Sequence, residues 1–315
     1  MRILITGATG FAGRHLSRLS LSKRGTKVYG LVRNARSASR LAPGVRPLRA
    51  DLLSTASLAS ALRKVRPDRV YHLAGQASVK LSWKKPKLTF DVNVRGTRCL
   101  LEAALRVRSR ARILIACSAD EYGAPRLRKK LDEGSPLKPV NPYGASKLVQ
   151  DLLALHYFQS HGLPVVRTRA FNHIGPGQDE RFAVSSFAKQ VAAIERGDRK
   201  PRIDVGNLEA VRDFTDVRDV VQGYRLALEK GRPGEAYNVA SGRGRRLAEV
   251  LRFYLRRSSV KIKVRRDRAR LRVSDAPYLV GDARKLRRET GWRPRIRFEK
   301  SLRDVFEDWK GRPNG

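Results

Sequence analysis

Between a short apolar run, Arg2-Ile-Leu-Ile5, and a helical pattern starting at about Phe11 stands Thr6-Gly-Ala-Thr-Gly-Phe-Ala-Gly13. Nothing else in the chain narrows its possible folds as much. Glycines at 7, 10 and 13 give the spacing G-x-x-G-x-x-G. Without a Cβ they let a strand turn sharply, let an anion approach the backbone and let the next helix pack closely. The start of that helix offers unpaired N–H groups to the same anion. Set between a strand and a helix, the pattern predicts a dinucleotide turn in which Gly7, Gly10, Phe11, Ala12 and Gly13 surround a pyrophosphate.

The alternation continues down the chain. Strands are expected at 2–5, 27–32, 45–48, 69–73, 112–117 and around 165–166, with helices at about 11–23, 57–65, 87–107 and 145–158. Strands that are apolar nearly throughout and separated by helices belong to a parallel sheet covered on both faces. The expected class is therefore α/β, a Rossmann-like doubly wound parallel sheet. The second half is less regular, with helices at about 186–195 and 247–255 and strands at 202–205 and 235–239. It suits a smaller α/β C-terminal substrate lobe. Lys261 to Arg272 reads as basic and irregular. The expected division is 1–172 plus about 212–240 for the dinucleotide domain, and about 173–211 plus 241–315 for the lobe.

At 315 residues, 41% of them hydrophobic, the chain can fill such a core. Two cysteines, Cys99 and Cys117, cannot build a disulfide framework and match no zinc spacing. His15, His72, His156 and His161 show no metal spacing either, and no metal is expected. No apolar run is long enough to span a membrane, and the opening residues do not read as a signal peptide. A cytoplasmic protein is expected. The formal charge of +39 speaks to solubility and partners rather than to fold. It is spread along the chain, with no nucleic-acid module and no aromatic clustering beside it. Non-specific polyanion binding at low salt is expected, and specific nucleic-acid binding is not. A polyanion-binding protein on a Rossmann-like scaffold remains the rival from another class.

Twenty residues past Gly13, where an acidic residue would meet a ribose 2′-hydroxyl, stand Arg33 and Asn34. Arginine suits a 2′-phosphate. NADP(H) is expected, with NAD(H) as the alternative. Tyr143-Gly-Ala-Ser-Lys147 sets Tyr and Lys four apart on one helical face. A free tyrosine titrates too high, near ~10, for neutral acid–base work, and a nearby ammonium is expected to lower that value. Ser118 ends the fifth strand, where strand C-termini meet the cofactor crevice.

These residues, in this order, resemble the extended short-chain dehydrogenases/reductases, in their nucleotide-sugar-modifying branch. The resemblance runs from Met1 to about Trp309. Phe171-Asn-His-Ile-Gly-Pro-Gly-Gln178 and the stretch Val205 to Asp219 are most similar to the enzymes that reduce GDP-4-dehydro-6-deoxy-D-mannose. The related dehydratases share Gly206-Asn207-Leu208 but follow Arg-Asp with Trp-Gly-His, where this chain has Phe214-Thr-Asp216. The resemblance implies an oxidoreductase that reduces the C4 ketone of a GDP-sugar with NAD(P)H, giving GDP-D-rhamnose, with Ser118, Tyr143 and Lys147 catalytic.

It places Asp51 and Leu52 near the adenine, and Leu73, Ala74 and Gly75 along the cofactor. Substrate contacts fall to Asn172, to Lys189, Arg212 and Arg272 at the diphosphate, to Asn207 and Leu208 near the base, and to Asp275 at the ribose. His173 beside Asn172 reads as a packing residue as readily as a substrate contact. Asp120 stands where these families usually have glutamate, with Glu121 next to it, and both are candidate sugar contacts. The shorter carboxylate argues against dehydration, which stays the alternative together with epimerisation, both on tightly held NAD. The resemblance also implies a homodimer packed through the helix holding Asn93 and the helix holding Tyr143.

Overall fold

The computed structural model describes residues 1–125, 128–267 and 276–312. Its strands, in chain order, begin with β1 (Arg2–Thr6), β2 (Lys27–Val32), β3 (Arg46–Arg49), β4 (Arg69–His72), β5 (Arg112–Ser118) and β6 (Val165–Ala170). They continue as β7 (Asn172–Ile174), β8 (Arg202–Val205), β9 (Val211–Asp216), β10 (Ala236–Val239), β11 (Gly244–Arg246), β12 (Lys263–Arg266) and β13 (Tyr278–Leu279). Seven of them form one parallel sheet in the order β10-β6-β5-β4-β1-β2-β3. Chain order reverses between β1 and β4, and in open sheets of this kind ligands bind outside the strand C-termini at that point.

Alternation along each strand feeds two cores. Ile3, Ile5, Tyr71, Leu114 and Val166 pack with residues of the helices Phe11–Leu21 and Val217–Lys230. Leu4, Val70, Ile113, Ile115 and Val165 pack with those of Thr55–Val65, Gly96–Arg106 and Pro142–His161. A third cluster fills the remaining lobe, where Phe187, Val191, Ile203, Phe214, Val250, Tyr254, Leu302 and Phe306 meet. There β9 is central, parallel to β7 and β13 and antiparallel to β11, while β8 pairs with β12.

Several sequence expectations need correction. Lys263–Arg266, read as irregular, is a strand held parallel to β8. Asp204 on β8 explains it, because its carboxylate takes Arg265 at 2.7 Å and Arg199 at 2.9 Å. β6 runs on through Arg167 and Arg169, both buried, because Asp151 of the helix behind the sheet pairs with the two guanidinium groups. The helix expected over 87–107 carries a π-turn at Asp91–Arg95 between α-helical Pro86–Phe90 and Gly96–Arg106.

Candidate active site

The glycine turn sits at the reversal of strand order, against the loop after β4. Gly7 has φ +71°, and a Cβ on it would lie 2.7 Å from the Ala74 nitrogen. A Cβ on Gly13 would overlap the Gly7 carbonyl, so the helix Phe11–Leu21 packs tightly under the turn. Its N-cap Gly10 supplies no side-chain bond and its first turn carries no acidic residue. The first N–H groups and the positive end of the helix are thus left for an anion. Beneath, a polar thread locks the loops together. Thr6 Oγ1 lies 2.7 Å from His72 Nδ1 and accepts the Ala74 N–H at 3.2 Å, while His72 Nε2 lies 3.0 Å from Thr97 Oγ1. Burial pushes the His72 imidazole down to about 3, so it stays neutral.

The rest of the expected cofactor edge is at the surface. Arg33 and Asn34 follow β2 and are exposed. Arg33 has no ion-pair partner among the described residues, and Asn34 caps the next helix by accepting the Ser37 N–H at 2.9 Å. Asp51 is exposed and accepts the Leu53 N–H, and Leu52 packs against Gly96. A bare cradle, an uncapped helix start and a free guanidinium at the end of β2 fit a dinucleotide carrying a 2′-phosphate.

Ser118 closes β5, and Tyr143 lies in the first turn of Pro142–His161. That turn is pressed onto the segment after β5, because a Cβ on Gly144 would stand 2.5 Å from the Asp120 carbonyl. Asn141 caps the helix by accepting the Gly144 N–H at 2.8 Å and donates to Asp120 at 3.4 Å. Ser118 lies close enough to the Tyr143 phenol to act on its pKa, while its own hydroxyl is turned to Asp120 Oδ2 at 3.3 Å. One turn on, the Lys147 ammonium donates to the Ala116 carbonyl at 2.8 Å and to Gln150 Oε1 at 2.7 Å. It stands 3.4 Å from where a Gly75 Cβ would be.

The electrostatics correct one expectation. The Tyr143 pKa is raised, by burial first and by the Asp120 carboxylate second, with nearby Ser118 working the other way. The Lys147 ammonium is held by the Ala116 carbonyl and Gln150, and burial lowers its own pKa. The phenol therefore keeps its proton, the state a donor to an alkoxide requires.

Sequence reasoning missed Asn93, which the π-turn drives inward. Its carboxamide accepts the Gln76 N–H at 2.8 Å, donates to the Gln76 carbonyl at 3.1 Å and donates to Ser146 Oγ at 2.8 Å. Ser146 in turn donates to the Tyr143 carbonyl at 2.7 Å. An asparagine on the inner face of an otherwise apolar helix was the available signal.

Among the expected sugar contacts, Glu121 is corrected. It is fully buried, accepts the Ser118 N–H at 2.7 Å and lies 3.4 Å from Arg169, so its carboxylate faces the core. Asp120 remains half-buried beside Ser118 Oγ at 3.3 Å. Asn172 is exposed on β7. His173 is stacked on Phe11, centroids 5.7 Å apart, as a packing residue. Lys189 is not an open cation, since it pairs with Glu180 at 2.5 Å and lies over Trp309. Arg212 donates to the Val211 carbonyl, Asn207 accepts the Glu209 N–H, and Leu208 packs on the lobe core. Arg272 and Asp275 lie outside the described residues.

A glycine turn at the strand-order reversal, with a serine, a tyrosine and a lysine beside it, is the arrangement of a dinucleotide-dependent oxidoreductase. The family model described as GDP-mannose 4,6 dehydratase matches residues 4–305. This chain belongs to that family, within the NAD(P)-dependent nucleotide-sugar oxidoreductases. It is 34% identical over 312 residues to a GDP-6-deoxy-D-mannose reductase of Pseudomonas aeruginosa, covering 99% of this chain and 98% of the relative. The solved RMD from Pseudomonas aeruginosa complexed with NADPH superposes with TM-score 0.86 at 32% identity, over 98% of both chains. The Thermus thermophilus UDP-glucose 4-epimerase complex with NAD gives TM-score 0.88 at 31% identity, over 99% of both.

Proposed function

We propose that this protein reduces the C4 ketone of GDP-4-dehydro-6-deoxy-D-mannose to GDP-D-rhamnose at the expense of NADPH. The observation that carries the reading is the placing of buried Tyr143 beside Ser118, one helical turn before Lys147, at the C-terminal edge of the sheet. NADPH, when bound, supplies the hydride. Tyr143 then gives its proton to the developing C4 alkoxide, and Ser118 holds that oxygen. Lys147, facing Gly75, orients the nicotinamide ribose. The Gly7–Gly13 turn would hold the pyrophosphate and Arg33 the 2′-phosphate. Residues 1–172 with about 212–240 would bind the cofactor. About 173–211 with 241–315 would bind the nucleotide-sugar, with Asn172 and Arg212 offered to it.

The relatives named as dehydratases favour a second reading, elimination of water on retained NAD. Asp120 weighs against it, because it is short and already engaged with Ser118 and Asn141. The protein is proposed to work in the cytoplasm as a homodimer.

The test supplies GDP-mannose, a dehydratase, this protein and NADPH. Net loss of the reduced-nicotinamide absorbance, faster with NADPH than with NADH, and a GDP-D-rhamnose product by NMR are expected. Tyr143→Phe should slow the reaction on the order of 10²–10⁴-fold. Wild-type turnover in that variant, or product without net NADPH loss, defeats the reading.

A further inference from the structure

Away from the Ser118–Tyr143 edge, a cleft of about 1110 Å³ opens in the C-terminal lobe between Lys130, the turn Ser241–Arg243 and residues 281–299. None of the glycine turn, Ser118, Tyr143, Lys147 or Asn172 lines it. Eight basic side chains face four acidic ones there, and two of the acids are held by close partners. Asp282 pairs with Arg284 at 2.7 Å, and Asp216 with Arg218 at 2.8 Å. Lys130, Arg243, Arg287, Arg293, Arg295 and Arg297 have no ion-pair partner among the described residues.

The floor of the cleft is fixed from below. Buried Asp213 accepts the N–H groups of Ser241 and Gly242 at 2.8 Å each and of Gly281 at 3.2 Å. Gly242, at φ +78°, turns a bare stretch of main chain upward. The point where its Cβ would stand is 3.8 Å from Lys130 Nζ and 3.9 Å from Arg287 Nη2. Arg287 Nε is buried there with no partner. Two cations thus stand near this pinned loop, with the Gly281 carbonyl oxygen 3.8 Å from the same point and Arg287 Nη2 also donating to the Ser241 carbonyl at 3.3 Å. The aromatic faces nearby are already covered, Phe298 by Arg245 at 5.1 Å and Phe253 by Arg257 at 3.7 Å. Phe214, also in the lining, is stacked on Phe298 with ring centroids 5.8 Å apart. The excess of cations suits dense negative charge, in a volume suited to a small ligand.

We propose that this cleft binds inorganic polyphosphate, a chain of anhydride-linked phosphates, away from the glycine turn and the Ser118–Tyr143 edge. The proposal stands whether or not the Ser118–Tyr143 edge reduces a ketosugar.

The test is isothermal titration of the full chain with inorganic tripolyphosphate at physiological ionic strength, where diffuse surface attraction is screened. One saturable site per chain is expected. The combined variant Lys130→Gln, Arg243→Gln, Arg293→Gln and Arg295→Gln should lose roughly tenfold or more in affinity. A control removes the same charge from exposed positions on two Rossmann helices and the loop after one of them, through Arg63→Gln, Lys64→Gln, Arg106→Gln and Arg110→Gln. It should stay within about twofold. Saturating NADPH should not displace the ligand. Equal losses in both variants, displacement by NADPH, or absence of a saturable site overturns the proposal. So does an oligothymidylate whose binding falls more than that of tripolyphosphate in the cleft variant, which would assign the cleft to nucleic acid.

Discussion

At the scale of single residues, this protein places titratable groups in dry surroundings and fixes their charge by what touches them. His72 shows this most simply. Its ring bridges Thr6 and Thr97 without an acidic neighbour, and burial holds it at about 3, against the ordinary value of 6.5. The folded state therefore binds this proton more weakly than the unfolded chain does. Neutral His72 leaves stability at full value above about pH 6.5 and erodes it as pH falls toward 3, by up to about 1.4 kcal/mol per pH unit. His72→Gln should give a less stable protein whose thermal unfolding is flatter with pH across that window. Identical slopes for both proteins would show that the proton is taken up elsewhere. Arg167, Arg169, Glu121 and Asp151 solve the same problem by pairing. Burial and the nearby Asp151 carboxylate raise Glu121, whereas the two guanidinium groups lower Asp151 despite its burial.

At the scale of elements, a buried indole pins the C-terminal segment to the helix Val217–Lys230. Trp292 is 1% exposed, donates its indole N–H to the Asp219 carbonyl at 2.9 Å and lies against Gly223. Trp292→Ala should cost about 3–5 kcal/mol in denaturant unfolding. A loss under about 1 kcal/mol would mean that the segment holds without it.

The parallel sheet and its first helices were legible because each strand was a continuous apolar run and the glycine turn fixed the register of strand to helix. Less was legible later. The helices Val217–Lys230 and Phe298–Lys310 went unread, although Val220, Val221, Tyr224 and Leu228, and Leu302, Val305, Phe306 and Trp309, have helical spacing. Strands as short as β7, β11 and β13 carry too few residues to show a period, and their pairing with β9 is set by tertiary contact. At the site, Tyr143, Lys147 and Ser118 were readable from spacing. The inward carboxylate of Glu121 was not, because only the fold decides which way a strand-end acid turns.

At the scale of the whole molecule, the charge of +39 and a patch of exposed apolar side chains act in opposite directions. Trp83 (51% exposed), Leu88, Phe90, Val149 and Leu152 (52% exposed) stand on the helices around the π-turn and on the helix that holds Tyr143. A contact between two such positive bodies has to be largely apolar, and this patch groups exposed apolar side chains on adjoining helices. Leu152→Arg should turn the proposed dimer into a monomer in sedimentation velocity. An unchanged sedimentation coefficient would place the contact elsewhere.

The π-turn at Asp91–Arg95 has one more consequence. Such a turn amounts to a single residue inserted into an otherwise regular helix, and here Asn93 is the residue turned inward. Excising Asn93 should let the coil close to uniform pitch, with the flanking stretches still in rotational phase. Excising Cys99 would instead swing everything beyond it by about 100°. The shortened chain lacking Asn93 should keep its circular-dichroism spectrum and lose turnover. Position 93 would then be dispensable for the helix and needed for the bonds that hold Gln76 and Ser146 at the site.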